Sequence, residues 1–506
     1  MMDGFELTND WLRERTARSP DATALLIDGR SWSFSQLDVL VSRLCHWFRD
    51  EGIEPGDHAG LFMPNSLAAV CCVFALARME AVLVSLNARL TSQELAWQIE
   101  HANCSVVLCS SDLEETAGDA AQGRIPVRAL PFQAAELDDL LAGFPARFEA
   151  EEPGDLASLQ AIVFTSGTTG FPKGVMIHYA NHYWSATASV ERLGTQVDDR
   201  WLACLPLYHV GGLAVLFRSC LYGTAVVLHD GCDVPAVMGS LREESITIVS
   251  LVPTMLGRLL QADLSQSAAP SLRLLLLGGA AAPPRLLTEA AEACLPVAVT
   301  YGLTEATTQV ATMEPDRVPA KLGSAGKPLT FATIAIADDA GRDVPRNTPG
   351  EIVVKGPMIM AGYYNDSAAT TEKLRDGWLH TGDIGYLDGD GDLWVLDRRS
   401  DLIVSGGENV YPAEVERVLR EYPDVAQACV IGLPHPEWGQ QVTAVLMLRE
   451  PGQLDERDLL AFTRERLAGY KQPRAVYVVD QLPQTGSGKV NRRAAADELA
   501  RRLGQP

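Results

Sequence analysis

Apolar positions along the first 150 residues keep two different periods. Leu37, Val41, Leu44 and Phe48 recur at three- and four-residue steps after Phe34, which predicts a helix capped by Ser33 or Ser35. Gly60–Met63 and Ser105–Cys109 are short unbroken apolar runs that read as buried strands. Leu67–Ala77 is apolar throughout and stops at Arg78 and Glu80. It is too short to span a bilayer and reads as a buried helix. Residues 111–157 are acidic and rich in Ala, Pro and Gly, which predicts a surface excursion. Alternation of this kind implies parallel sheets covered by helices.

The middle of the chain repeats the theme. Ile246–Leu251 feeds a helix expected near Pro253, Leu272–Leu277 runs into Gly278-Gly279, and Pro296–Thr300 runs into Tyr301-Gly302. Ligands of open α/β sheets sit beyond the carboxyl ends of strands, so these loops are where a nucleotide belongs. From Thr333 the texture changes to short strands (Thr333–Ala337, Glu351–Lys355, Leu393–Leu396) between Gly/Asp/Pro turns, which predicts an antiparallel, barrel-like subdomain. Asp388-Gly-Asp-Gly391 reads as a hairpin rather than a calcium loop, because the later Glu that such a loop requires is missing. After Arg399 a new pattern begins. It comprises a helix from Pro412, strands around Val425–Ile431 and Val442–Leu448, a helix over Glu456–Leu467, a strand over Ala475–Val479 and a loop carrying Lys489. The expectation is an α/β chain. Residues 1–399 form a large N-terminal domain of two α/β subdomains plus the barrel-like one, and 400–506 form a small α+β domain.

Chemistry enters at Thr165-Ser-Gly-Thr-Thr-Gly-Phe-Pro-Lys-Gly174, which follows the apolar run Ala161–Phe164. A strand that opens into a loop rich in Gly and hydroxyls presents backbone N–H groups and side-chain donors to one point. That suits a polyphosphate, with Lys173 as a mobile cation. No Gly-Lys-Ser/Thr ends the loop, so it is not a Walker A motif. Four further motifs follow in order: Tyr301-Gly-Leu-Thr-Glu305, Thr381-Gly-Asp383, Asp397-Arg398 with Ser405-Gly-Gly-Glu-Asn409, and Gly486-Ser-Gly-Lys489. In this order and at these separations the set resembles the adenylate-forming superfamily of acyl-CoA synthetases, luciferases and carrier-protein adenylation domains.

The resemblance implies roles. Thr165, Ser166, Gly167, Thr168, Thr169, Gly170 and Lys173 would lie over the β- and γ-phosphates of ATP. Thr304 would contact the α-phosphate and Glu305 would carry magnesium. Tyr301, Gly279 and Ala280 would border the adenine, and Asp383 and Arg398 would hold the ribose. Lys489 would bridge the reacting carboxylate and the α-phosphate. Ser400 would be the hinge of the small domain, and Ser405, Gly406 and Gly407 would line the tunnel for the pantetheine arm of coenzyme A. His209, in Pro206-Leu-Tyr-His-Val-Gly-Gly-Leu213, matches the family's gate at the acyl pocket. Two anions must meet during adenylation, so cations and aligned donors have to offset their repulsion.

Charge narrows the partners. The 506 residues carry 42 basic and 65 acidic side chains, a net −23, which speaks against non-specific nucleic-acid binding. Met1–Arg15 is polar and mixed in charge and does not read as a signal peptide. The ten cysteines show neither Cys-x-x-Cys nor zinc spacing, so buried reduced thiols in a soluble cytoplasmic protein are expected. No membrane insertion is expected, and homo-oligomerisation is left open.

Segments around Pro206–Arg218, Tyr301–Thr312, Lys321–Leu329 and Asp397–Pro412 look most like 2-succinylbenzoate–CoA ligases of menaquinone biosynthesis. That acid has two carboxylates, and the one that does not react needs a cation inside an apolar pocket. Arg218, with Ser324, Thr307 and Thr308, is the candidate anchor. Two alternatives stay open: a general ligase for medium-chain or aryl acids, and an adenylation module that loads a carrier protein.

Overall fold

A computed structural model of the chain describes residues 8–150, 154–165, 171–338, 340–397, 402–449, 454–483, 490 and 492–503. The chain divides into two compact units. One comprises Met1–Ala88, Ile99–Val163 and Gly174–Leu396, and the other comprises Arg89–Gln98, Phe164–Lys173 and Asp397–Pro506. The division after Leu396 lies close to the expected start at Ser400. Two short segments of the first half group with the C-terminal unit, one of them the Gly- and hydroxyl-rich stretch Phe164–Lys173.

A seven-stranded sheet takes the order Gly362–Tyr363, Lys173–His178, Leu159–Thr165, Val82–Ser85, His58–Phe62, Val106–Ser110, Val127–Leu130. The last five run parallel. Every residue of Val82–Ser85 and Val106–Ser110 is buried, as strands covered on both faces require. Val127–Leu130 is a sheet-edge strand and helices cover Glu114–Ala121 and Ala134–Leu141, so the expected surface excursion is a folded part of the subdomain. Its alanine-rich helix lacks the apolar period that would have marked it.

The helix Phe34–Asp50 starts where its pattern says. Ser33 Oγ accepts from Gln36 N–H, and Gln36 Oε1 accepts from Ser33 N–H, which closes a capping box. Leu67–Arg78 is buried at every residue. The charge at its end is matched, because the Arg78 guanidinium meets Asp10 at 2.7 Å and Ser42 Oγ at 2.8 Å and also pairs with Asp38.

The second sheet has fourteen strands. Its centre is parallel in the order Val297–Leu303, Leu274–Leu277, Ile248–Leu251, Arg200–Ala203, Ala225–Leu228, Thr23–Ile27. At Thr308–Met313 it turns antiparallel and continues through Ser324–Pro328, Leu393–Asp397, Trp378–Leu387, Gly350–Lys355 and Thr333–Ala337. The strands expected to curl into a barrel are thus the antiparallel end of one continuous sheet. Asp388–Gly391 is the expected hairpin turn, with Gly391 N–H donating to Asp388 O at 3.0 Å. The Lys321 ammonium sits among its carboxylates, 2.8 Å from Asp388 and 2.7 Å from Asp390.

The smaller unit is built on the antiparallel pair Val425–His435 and Gly439–Leu448, with Ala475–Val478 parallel to the second strand. The helices Pro412–Arg420, Glu456–Arg464 and Arg492–Arg502 belong to the same unit. No helix among the described residues is long and apolar enough to cross a membrane.

Candidate active site

The parallel neighbours Leu274–Leu277 and Val297–Leu303 deliver their carboxyl ends to one rim. Gly279 and Ala280 follow the first. Tyr301 lies inside the second rather than in a loop after it, because the strand runs on to Leu303. A hairpin closes just beyond. Gly302 is required there, since a Cβ would fall 1.6 Å from the Thr308 carbonyl oxygen. Thr304 and Glu305 form the short 3-10 turn of that hairpin.

Tyr301 is 3% exposed, and its hydroxyl donates to Asp383 Oδ2 at 2.6 Å. Asp383 is fixed in turn. Its N–H donates to Thr381 Oγ1 at 3.0 Å, and that hydroxyl donates to Ile352 O at 2.7 Å. The expected adenine and ribose contacts are therefore one hydrogen-bonded pair. Glu305 is buried, accepts from the Tyr363 hydroxyl at 2.8 Å, and is held at its carbonyl by Met360 N–H at 2.9 Å. Among the described residues no Lys, Arg or His forms an ion pair with it. A buried carboxylate whose side-chain partner is a phenol fits a metal ligand.

The acyl-side candidates lie on the helix Val210–Tyr222. His209 is its N-cap residue, half-buried against the Tyr208 ring. Arg218 is 3% exposed. Its Nη2 donates to Thr308 Oγ1 at 3.1 Å and Ser185 Oγ at 3.4 Å, and those hydroxyls are 2.8 Å apart. The Trp201 ring lies 5.7 Å away. No described carboxylate pairs with Arg218. Burial lowers the guanidinium below its ordinary value. Nearby His182 is pushed down to about 3, first by burial and then by Arg218, and hydrogen-bonds Gln160 Oε1 at 3.0 Å. Two expected partners are corrected. Ser324 Oγ donates to Leu393 O at 2.9 Å and Thr307 Oγ1 donates to Met358 O at 2.8 Å, so both hydroxyls are committed to backbone. Ser185 takes their place beside Arg218. Its signal was present in the polar stripe His182, Ser185, Ser189 along a helix.

In the other unit, Thr165 ends one strand and Lys173 opens its neighbour. Thr165 Oγ1 donates to Lys173 O at 3.5 Å, which joins the two ends of the segment expected to hold phosphate. Phe171 stacks on Trp97 at 5.2 Å and lies beneath the Arg417 guanidinium at 4.7 Å. Ser405 ends the strand Ile403–Ser405, and Gly406 and Gly407 make its turn. Gly406 has φ 60°, and its N–H donates to Trp438 O at 2.8 Å. Ser166, Gly167, Thr168, Thr169, Gly170, Arg398, Ser400 and Lys489 lie outside the described residues.

The Tyr301–Asp383 pair and the buried Glu305 fit a nucleotide site, and the sequence places the chain among adenylate-forming enzymes. Residues 12–364 match the AMP-binding enzyme family and residues 414–489 match the AMP-binding enzyme C-terminal domain, so the chain belongs to this family. It is an AMP-forming acid–thiol ligase. A 2-succinylbenzoate–CoA ligase of Bacillus licheniformis is 42% identical over 485 residues, covering 96% of this chain and 98% of the relative. The o-succinylbenzoate CoA synthetase of Bacillus subtilis, solved as a double mutant with the product analogue OSB-NCoA, superposes with TM-score 0.91. It is 38% identical and covers 96% of this chain and 98% of its own. The same enzyme with ATP and magnesium ion gives TM-score 0.74 at 38% identity, covering 96% and 99%.

Proposed function

We propose that this chain is a 2-succinylbenzoate–CoA ligase acting in menaquinone biosynthesis. The succinyl carboxylate attacks the α-phosphate of ATP, which forms an acyl-adenylate and expels pyrophosphate. The thiol of coenzyme A then attacks the acyl carbonyl and releases AMP. The observation that carries the choice of acid is Arg218, a buried cation surrounded by hydroxyls and an aromatic ring and paired with no described carboxylate. A dicarboxylic acid bound with one arm on Arg218 restores the charge balance that burial took away.

Asp383 and Tyr301 orient the nucleoside, and Thr304 donates toward the α-phosphate. Lys173 and the hydroxyls from Thr165 to Thr169 offset the β- and γ-phosphates. Glu305 would hold magnesium, which adds positive charge beside the phosphates when bound. Lys489 draws the carboxylate and the α-phosphate together, since a compact ammonium on a long stem suits a group that enters and leaves. Ser405, Gly406 and Gly407 leave room for the pantetheine arm. The proposed location is the cytoplasm, in keeping with ten cysteines that are all free thiols.

The test is a screen of acids for pyrophosphate release, run with and without coenzyme A. The reading requires release with 2-succinylbenzoate and a thioester only when coenzyme A is present. Preference for plain fatty or aryl acids would leave a general acid–CoA ligase.

A further inference from the structure

Two thiols that the ligase chemistry does not use are brought together at the end of the central sheet. Cys204 directly follows the strand Arg200–Ala203, and Cys232 lies just beyond the neighbouring strand Ala225–Leu228. The parallel register sets Ala203 opposite Leu228, and His229 N–H donates to Ala203 O at 3.0 Å. Asn65 clamps both exits, with Nδ2 3.0 Å from Leu205 O and 2.9 Å from His229 O. Cys204 belongs to the core cluster against which Cys232 packs, and each thiol biases the ionisation of the other.

The two sulfurs have unequal surroundings. Cys204 is 1% exposed, with Sγ 3.8 Å from Ser250 O. Cys232 is only partly buried, and Arg258 Nη2 donates to its carbonyl at 2.6 Å, which puts a guanidinium beside the thiol. The neighbouring Cys204 lowers the Cys232 thiol below its ordinary value against the effect of burial, and Arg258 adds to the lowering. The neighbouring Cys232, with burial, raises Cys204. An accessible thiolate beside a buried partner thiol is the arrangement that turns oxidation into a disulfide.

We propose that Cys204 and Cys232 form a reversible disulfide when a hydroperoxide reaches Cys232, and that this bond restrains the segment from Cys204 to His209. The Cys232 thiolate attacks one peroxide oxygen, the O–O bond breaks and hydroxide leaves, giving a sulfenic acid. The Cys204 sulfur then attacks the Cys232 sulfur. The S–O bond breaks, and the Cys204 proton leaves with the hydroxide as water. Two thiols and one hydrogen peroxide become one disulfide and two waters. Two equivalents of an added thiol reverse the bond by exchange. His209 starts the helix that carries Arg218, so the restraint acts on the acyl side of the reaction. That half of the proposal rests on the acyl-site reading, whereas the covalent half does not.

The experiment treats the full chain with hydrogen peroxide, caps remaining thiols with an alkylating reagent, and maps peptides by mass spectrometry without reduction. A peptide pair joined through Cys204 and Cys232, about 2 Da lighter than its two parts, is expected from the parent. It is absent from Cys232→Ser and Cys204→Ala. Acid-dependent pyrophosphate release falls several-fold in the oxidised parent, recovers with dithiothreitol, and is unaffected by peroxide in Cys232→Ser. A Cys232 that goes on to sulfinic acid while Cys204 stays reduced overturns the disulfide, as does a linkage involving the exposed Cys294 instead. A joined parent with an unchanged rate overturns the restraint. An equal loss of activity in Cys232→Ser also overturns it.

Discussion

Arg218 Nη2 lies 3.1 Å from Thr308 Oγ1, and the threonine that supplies this hydroxyl has φ 132°, a backbone conformation β-branched residues rarely adopt. The hairpin enforces it. Gly302 and Thr308 approach so closely that no side chain fits on Gly302. The hydroxyl beside the buried cation is therefore placed by the backbone, and Ser185 from another helix steadies it at 2.8 Å. Hydroxyls around a guanidinium that no described carboxylate pairs with suit discrimination between acids, because leaving an anion site empty is costly.

Arg218→Ala tests that discrimination. Unpairing a buried carboxylate costs about 2–5 kcal/mol, so kcat/KM for 2-succinylbenzoate should fall by roughly 30- to 4000-fold. A mono-acid lacking the ring carboxylate should be a poor substrate of the parent and should lose much less in the variant. Equal losses for both acids would mean that Arg218 only supports the fold, and a thermal melt of the variant measures that component directly.

His182 gives the same region a pH signature. Its neutral ring is favoured in the folded protein, with the pKa lowered from 6.5 to about 3 by burial and by Arg218. Below 6.5 the unfolded chain binds a proton that the folded chain refuses. Stability from this group is complete above that value and drains away as pH falls toward 3. Between pH 6.5 and about pH 4.5 the parent should lose about 2–3 kcal/mol more than His182→Gln. Denaturant midpoints at the two pH values decide the matter, and parallel losses would remove His182 as the cause.

How much of this was legible depended on whether a residue acts through the chain near it. Ser33 and Gln36 cap a helix three residues apart, and the apolar period after them marks that helix unaided. The loop from Thr165 to Gly174 stands out in sequence because its composition has no competing use as packing, although Ser166–Gly170 lie outside the described residues. Val127–Leu130 was not, since its alternation is too short to stand out from the polar stretch around it. The pairings of Tyr301 with Asp383 and of Arg218 with Ser185 join residues on different elements. No local period encodes them, because sheet order decides which strands and helices meet. Ser324 and Thr307 looked available for the same reason. Their hydroxyls are taken by carbonyls of Leu393 and Met358, far along the chain.

Lys489 carries the sharpest test of the two half-reactions. Its ammonium is needed where two anions meet, and not where a neutral thioester forms from an adenylate already made. Lys489→Ala should lower adenylate formation by about three orders of magnitude, roughly 4 kcal/mol of transition-state stabilisation. Thioester formation from pre-made acyl-adenylate should be largely retained. Equal falls in single-turnover assays of both steps would rule out a role confined to adenylation.

Lys471 is a buried cation shared by two carboxylates of the smaller unit. Its ammonium is 2.6 Å from Glu94 Oε1 and 2.7 Å from Glu414 Oε1, and the three side chains are 3%, 7% and 4% exposed. One cation thus serves two buried carboxylates, and Glu414 Oε2 is buried with no hydrogen-bond partner among the described residues. Burial raises Glu414, against the pull of Lys471 and with the push of Glu94. Lys471→Met keeps the volume but strands both anions, so it should destabilise the unit by about 3–5 kcal/mol. Glu414→Gln removes the surplus charge and leaves one matched pair, so it should cost less than about 1 kcal/mol or stabilise. Neutralising all three with Lys471→Met, Glu94→Gln and Glu414→Gln together should recover most of the loss, because no unpaired charge is left buried. Urea unfolding of the four proteins measures the series. A triple variant as unstable as Lys471→Met would show that the lysine's contribution is packing and hydrogen-bond geometry rather than charge.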